Sequence, residues 1–434
     1  MREDPTIRIG DLADGIRGVS YRPEHLQEDF GRDRTVLLRS TNIQDGQLDF
    51  TSIQIVPSYL VKPAQSVGEG DLVVCMSNGS KALVGKAARY KGEYGAPLTV
   101  GAFCSVFHPK TESDSAFLRH VFQGEQFRRS IDIILSGSAI NNLKNSDVEG
   151  ISIRAHSPTE RATIADILDA IDDAILETDT VIEKLLLVHQ GLVHDLTTLG
   201  LSKSGEIRRA DQLEEFHETD LGPLPHSWCV KSIGRMAKDL ALGTAARGAN
   251  DGQDQLRLLK MGNLGWDALD TSTCELIDVD RVVHWKDALL LDGDLLFNTR
   301  NTPELVGKTA AYDQDDQRTV CDNNILRIRF PSEEMDGRFA AAYMANGRGK
   351  SRLMTLATGT TSVAAIYWRD LRDFQLPVPP REEREEIVRR LQVSRDTIRR
   401  EKESRVKLSN LREGLRDDLL TGRKPVVAIR EAAE

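Results

Sequence analysis

A chain of 434 residues, 40% apolar and 29% charged, is too long for one ordinary core and too apolar to stay disordered. At least two folded domains are expected. A net charge of −10 argues against nucleic-acid binding by total charge, and no run of about 18 apolar residues offers a membrane span.

The opening stretch, MREDPTIRIGDL, has no apolar secretory core, which makes the cytoplasm the expected location. A first globular domain is expected over 1–157, with a β-rich run at 71–76 and a helical stretch at 117–134. Residues 158–200 then read as one long helix. Ile164, Ile167, Ile171, Ala174, Thr178, Val181, Leu185, Val188 and Leu192 follow alternating steps of three and four, the spacing of one helical stripe. Pro158 suits its first turn and Gly200 its end. A polar, then Gly- and Pro-containing, linker is expected over 201–220. The second globular domain, 221–378, carries strand-like runs at 289–297 and 325–330 and a helical stretch at 338–356. A second long helix spans 379–424, with the stripe Ile387, Leu391, Ser394, Ile398, Glu401, Arg405, Leu408 and Leu415, polar in its middle. Residues 425–434 form a tail. The five cysteines (Cys75, Cys104, Cys229, Cys274, Cys321) stand alone, which points to buried thiols and against a disulfide or zinc framework.

The two halves repeat. Gly191, Leu192, Asp195 and Leu196 recur 223 residues on as Gly414, Leu415, Asp418 and Leu419. Residues 37–43 match 258–264, Gly70-Asp71-Leu72 matches Gly293-Asp294-Leu295, and Val84-Gly85-Lys86 matches Val306-Gly307-Lys308. Residues 136–138 match 358–360, and every offset lies between 221 and 223. The expected fold class is therefore α+β: two tandem-repeated globular domains separated by two long antiparallel helices, related by a pseudo-twofold. Charge supports the pairing of the helices. Residues 159–200 hold two basic side chains against nine acidic, and 381–424 hold fourteen against ten.

No reaction centre is legible, so the chain is expected to be non-catalytic and to hold no cofactor or metal. A phosphate-binding loop at 298–309 would need glycine at Thr302, and Ser80 holds that place in the first half. No Asp/Asn-Pro-Pro-aromatic stretch or glycine-rich cofactor fingerprint occurs, and the nine histidines lack ligand-like spacing. Paired polar loops stand out instead. Arg and Lys read guanine edges and phosphates, while Asn reads adenine. The candidate DNA-binding residues in the first half are Arg39, Thr41, Asn42, Ser77, Asn78, Ser80, Lys81, Ser138, Asn141 and Asn142. In the second half they are Lys260, Asn263, Thr299, Arg300, Asn301, Thr360 and Thr361. Duplicated readers on a rigid spacer suit a split DNA site.

The alternation of globular domain and long helix, LGPLPHSW at 221–228, GDLLFNTRNTPELVGK at 293–308, the run at 358–391 and LREGLRDDLLTGR at 411–423 together resemble the specificity subunits of Type I restriction–modification systems. The first half departs from that pattern in lacking a Pro-x-x-Trp entry and ending in VHDLTTLGL. The resemblance implies two target-recognition domains on a bipartite, asymmetric site in double-stranded DNA. It also implies helices that dock two DNA adenine methyltransferase (modification) subunits, with restriction/translocase subunits added to that core. S-adenosylmethionine and Mg/ATP would then sit only on those partners, and no membrane is involved. The rivals are an S-type subunit of a related anti-phage or fused methyltransferase–nuclease system, a coiled-coil scaffold that binds no DNA, and an ATPase built on Gly307-Lys308-Thr309.

Overall fold

The computed structural model describes residues 5–137, 140–250, 254–313, 318–360 and 362–426. It forms two compact units, Met1–Asp179 with Glu403–Glu434, and Thr180–Lys402. Their boundary falls inside the two long helices, Pro158–Thr198 and Arg381–Thr421, so each helix contributes one part to each unit. Among the described residues no helix is long and apolar enough to cross a membrane.

In the first unit, runs such as Leu72–Cys75 are apolar throughout and buried on both faces, as central strands require. One antiparallel sheet orders Ala13–Arg17, Cys104–Pro109, Leu72–Cys75 and Ala87–Arg89. A second orders Gln54–Pro57, Arg34–Leu38, Leu98–Val100 and Ser66–Val67, with Arg34–Leu38 and Leu98–Val100 parallel. The helical stretch expected at 117–134 is two helices, Glu112–Gln123 and Glu125–Ser136. They divide at Gly124, whose extended backbone turns the chain where a Cβ would press on Leu420 and the Val121 carbonyl. The unit's main core joins these helices to Ile164 and Leu168 of the first long helix and Leu419 and Leu420 of the second.

The second unit repeats the scheme. Asp239–Leu242, Ile325–Arg329, Leu295–Asn298 and Thr309–Ala311 form the antiparallel sheet. Glu275–Asp278, Gln255–Leu259 and Thr319–Cys321 form the other, again with one parallel pair. The strand expected over 289–297 is confined to Leu295–Asn298. Again the expected single helix, 338–356, is two, Gly337–Ala345 and Gly347–Met354, divided at the extended Asn346. Gly307 leads into the strand Thr309–Ala311 rather than a helix, so a phosphate loop has no helix N-terminus to use. Residues 201–220 are folded on: Leu201 is buried, its N–H donates to Glu383 Oε1 (2.7 Å), and Arg208 Nη1 donates to the same oxygen (2.7 Å).

The long helices pair antiparallel within each unit. Asp172 meets Arg412 (3.2 Å) and Asp179 meets Arg405 (3.1 Å) in the first; His189 meets Ser394 (2.9 Å) in the second, where Leu201, just past the first helix, meets Glu383 near the start of the second. The buried stripe of the first helix matches the expected one fully only at Ile164, while Ile167, Ile171, Ala174, Thr178, Leu185 and Leu192 are half-buried. Leu168, Ile175, Ile182 and Leu196 are buried at heptad spacing, whereas Val181 and Val188 are exposed. The reason is visible in the sequence: apolar residues fall on more than one face, and packing against the second helix selects among them. Each long helix ends on a left-handed glycine, Gly200 (φ 66°) and Gly422 (φ 69°). A Cβ at either would collide, with Glu383 and Trp228 in one case and Arg154 in the other. The thiols Cys75, Cys104 and Cys321 are buried, but Cys229 is exposed and Cys274 half-buried, so the expectation of uniformly buried cysteines fails at two positions.

Burial and the neighbouring Arg395 hold His189 down at about 4. It is neutral in the folded chain while the unfolded chain takes up a proton below about 6.5. Stability is therefore present above 6.5 and lost as pH falls toward 4. Urea unfolding at pH 7.5 and pH 5 is expected to give a larger loss in the wild type than in His189→Leu.

Candidate nucleic-acid interface

Each unit builds its polar loops at the ends of interior strands of its sheets. After Arg34–Leu38 the chain makes a tight turn at Ser40–Asn42, and the buried Asn42 holds it. Its Oδ1 accepts from the Arg39 N–H (2.8 Å), and its Nδ2 donates to the carbonyls of Asp49 (2.8 Å) and Ser52 (3.0 Å). Asn263 does the same in the second unit. It accepts from the Lys260 N–H (2.8 Å) and donates to Asp270 O (3.0 Å) and Thr273 Oγ1 (3.0 Å). Both amides are consumed by their own loops. They were expected to face bases, and instead they hold the backbone that carries Arg39, Thr41 and Lys260. The signal that would have found this role is the partner set, which recurs at the same intervals of seven and ten residues in both halves.

The structure joins the two other loops of each half. In the first unit Ser77 bridges to Asn142, the Asn78 N–H donates to Asn141 O (3.3 Å), and Asn141 Nδ2 donates to Gly79 O (3.1 Å). Asn78 Nδ2 reaches Ser40 Oγ (3.3 Å), which ties in the first loop, while its Oδ1 accepts from the Ser80 N–H (3.0 Å). Lys81 is exposed, with its Nζ near Asp132 O (3.4 Å). In the second unit Arg300–Asn301 pairs with Ala364–Ala365, which pairs with Thr358–Gly359 and brings Thr360 to the same site. Thr299 Oγ1 donates to Asn324 O (3.0 Å), and Asn301 Nδ2 donates to Asn298 Oδ1 (2.9 Å). Lys260 is ion-paired with Glu275. Ser138 and Thr361 lie outside the described residues. Thr41, Ser80, Lys81, Arg300 and Thr360 present exposed side chains, while Arg39, Lys260, Asn301 and Thr299 are half-buried.

Two positions were missed. Arg17, at the end of its strand, donates to Asn142 Oδ1 (3.2 Å) and Leu143 O (2.6 Å), and burial lowers its pKa. Leu242 ends the matching strand of the second unit, 60% exposed. It lines a groove of about 420 Å³ with Leu240, Thr299, Arg300, Asn324 and Tyr367. The two sites thus differ chemically, one bridged by a guanidinium and one apolar beside an arginine that has no ion pair among the described residues.

One cluster could hold a metal by its donor types: His120, Asp169 and Asp172. Arg119 already sits between both carboxylates, with Asp172 Oδ2 at 2.7 Å. Burial outweighs Asp169 and holds His120 below its ordinary pKa. An ion-paired structural knot accounts for all of these contacts.

No protein-family model matches the chain. Two curated relatives are similar along most of it. The Type I restriction enzyme StySPI specificity subunit of Salmonella potsdam is 26% identical over 391 residues, 89% of this chain and 81% of that one. The EcoKI specificity subunit of Escherichia coli K12 is 26% identical over 384 residues, 87% and 79% of the two chains. Among solved structures, the Type I S subunit from M. genitalium matches with a TM-score of 0.55 at 12% identity, over 97% of each chain. A chain from a structure of a type I R-M system matches with a TM-score of 0.56 at 15% identity, over 97% of this chain and 100% of that one. Over most of its length the chain is thus similar in sequence to curated specificity subunits of Type I restriction enzymes, and it shares the fold of solved S subunits.

Proposed function

We propose that this chain is the DNA sequence-specificity subunit of a Type I restriction–modification complex, acting in the cytoplasm on a bipartite, asymmetric site. Each compact unit carries one target-recognition domain, residues 1–157 and 221–378, and each domain reads one half of the site. The observation that carries this reading is the duplicated loop set: in each unit an Asn-anchored turn, and two polar loops that β-bridging brings together. Exposed arginine and lysine side chains on those loops suit guanine and phosphate, at about 1–3 kcal/mol per good base contact.

The long helices, on this proposal, dock two DNA adenine methyltransferase subunits, with restriction/translocase subunits joining them. Exposed apolar residues support it: Val181, Leu187 and Val188 in the second unit, Val406 and Leu411 in the first. S-adenosylmethionine, Mg and ATP belong to the partners, and this chain supplies recognition alone. Methylation-sensitive sequencing of DNA from cells expressing the chain with its methyltransferase tests the proposal. The expected result is modified adenine in one split sequence with a constant gap. Binding without sequence preference would favour a scaffold instead.

A further inference from the structure

The second long helix carries arginines at 405, 412 and 416, steps of seven and four that place them on one face. In the first unit this face lines a cleft of about 730 Å³, closed on the other side by the hairpin at residues 43–48 and by Arg119 and Gln123. Arg416 is the unusual member. It is 9% exposed and ion-pairs with no carboxylate among the described residues, its contacts being Gln123 O (3.1 Å) and Gln123 Oε1 (3.5 Å); its Nε is buried without a partner. Arg412 spends one N–H on Asp172 and also leaves a buried Nε unbonded. Arg405 spends two, on Asp179 and Ser409. Since a guanidinium has five donors, the stripe keeps several unspent beside the cleft.

Four carboxylates also line the space. Asp172 and Asp179 are already paired with arginine, Asp49 accepts from Thr51, and Asp45 stands on the exposed turn. Among the described residues the second unit lacks this arrangement. There the turn residue Asp267 is ion-paired with Arg395, and Lys350 stacks on Trp266. The position matching Asp267 in the first unit is Gly46, and the position matching Arg395 is Asp172, so that tie is absent.

We propose that this cleft is a phosphate-binding groove that takes the DNA backbone next to the bases read by the first unit. A buried guanidinium whose acceptors all belong to one residue, as those of Arg416 do, is stabilised when an anion reaches it. A phosphodiester offers acceptor oxygens that several guanidinium groups can share. The hairpin continues directly from the Ser40–Asn42 turn, which is bonded to the polar loop at Asn78, so a strand read there runs on past the cleft. This rests on the proposed DNA-reading function.

The test uses the full chain with its methyltransferase partner. Arg405→Gln and Arg412→Gln are each expected to weaken binding to all sequences alike and to lower the slope of log K against log salt by about 1. Arg400→Gln, exposed elsewhere on the helix, serves as the control. Asp45→Asn is expected to tighten binding. An unchanged slope with sequence preference intact overturns the groove and leaves the DNA-reading function standing, as does a loss confined to partner assembly. If the wild type lacks sequence preference, inorganic pyrophosphate decides. Thermal stabilisation of the wild type but not of Arg412→Gln supports a phosphate site, and no stabilisation of either overturns it.

Discussion

Replacing Arg384 with alanine is expected to lower the stability of the second unit by about 3 kcal/mol, a fall of roughly 6–12 °C in its unfolding temperature. Arg384 is 2% exposed and is the largest fully buried side chain of the described residues. Its guanidinium donates to the carbonyls of Ser332 (2.6 Å), Glu334 (3.3 Å), Pro379 (3.4 Å) and Glu333 (3.4 Å). Burial pulls its pKa down, and the nearby Asp336 and Glu385 partly offset this. The alanine variant removes a donor shared by four carbonyls and leaves a cavity where the second long helix begins. Arg384→Met restores volume but no donor and is expected to recover less than half of the loss. Calorimetry on the full chain checks both. A variant within about 0.5 kcal/mol of wild type would mean that water replaces the guanidinium without cost.

The first unit holds the counterpart at Arg161, 223 residues earlier. Arg161 Nη1 donates to His156 O (2.7 Å), and its Nε lies 2.9 Å from the buried Asp114 carboxylate. The N–H is not aimed well enough at that oxygen for a hydrogen bond, so the pair acts by charge. These arginines sit in the first turn of each long helix, at the very offset that revealed the duplication. Sequence alone lists them as surface charges, because nothing in a helix pattern distinguishes an arginine caged by carbonyls from one in water.

The same limit explains the other departures. The long helices and the repeat were legible because heptad-like spacing and shared motifs are local signals. Which stripe of the first helix is buried was not, since Val188 and Ile182 are equally apolar and only the partner helix separates them. The breaks at Gly124 and Asn346 do leave a trace in the sequence, since no apolar residue lies between Phe122 and Phe127 or between Ala345 and Leu353. At Asn42 and Asn263 an amide suits adenine, yet an amide equally suits a loop that must bond its own carbonyls. The α+β class and the polar loops were read from composition and turns, while their pairing across some 60 residues needed the fold to bring them together.

That difference between holding and reading gives the second large effect. Asn263→Ala is expected to cost about 1–3 kcal/mol of stability, because the Lys260 N–H and the Asp270 carbonyl lose their partner. Its binding should weaken for every sequence alike. Arg300→Ala should behave oppositely. The side chain is exposed beside the groove at Leu242 and Tyr367, so stability should stay within about 0.5 kcal/mol of wild type. What it should lose is discrimination at one base pair of one half-site, by about 1–3 kcal/mol or roughly 5- to 150-fold. Sequencing of methylated DNA would then reveal a relaxed base in the half read by the second unit, with the other half and the gap unchanged. If Arg300→Ala instead leaves the modified sequence intact, base reading there falls to Thr360 and the apolar groove. If it weakens both halves equally, Arg300 contacts phosphate.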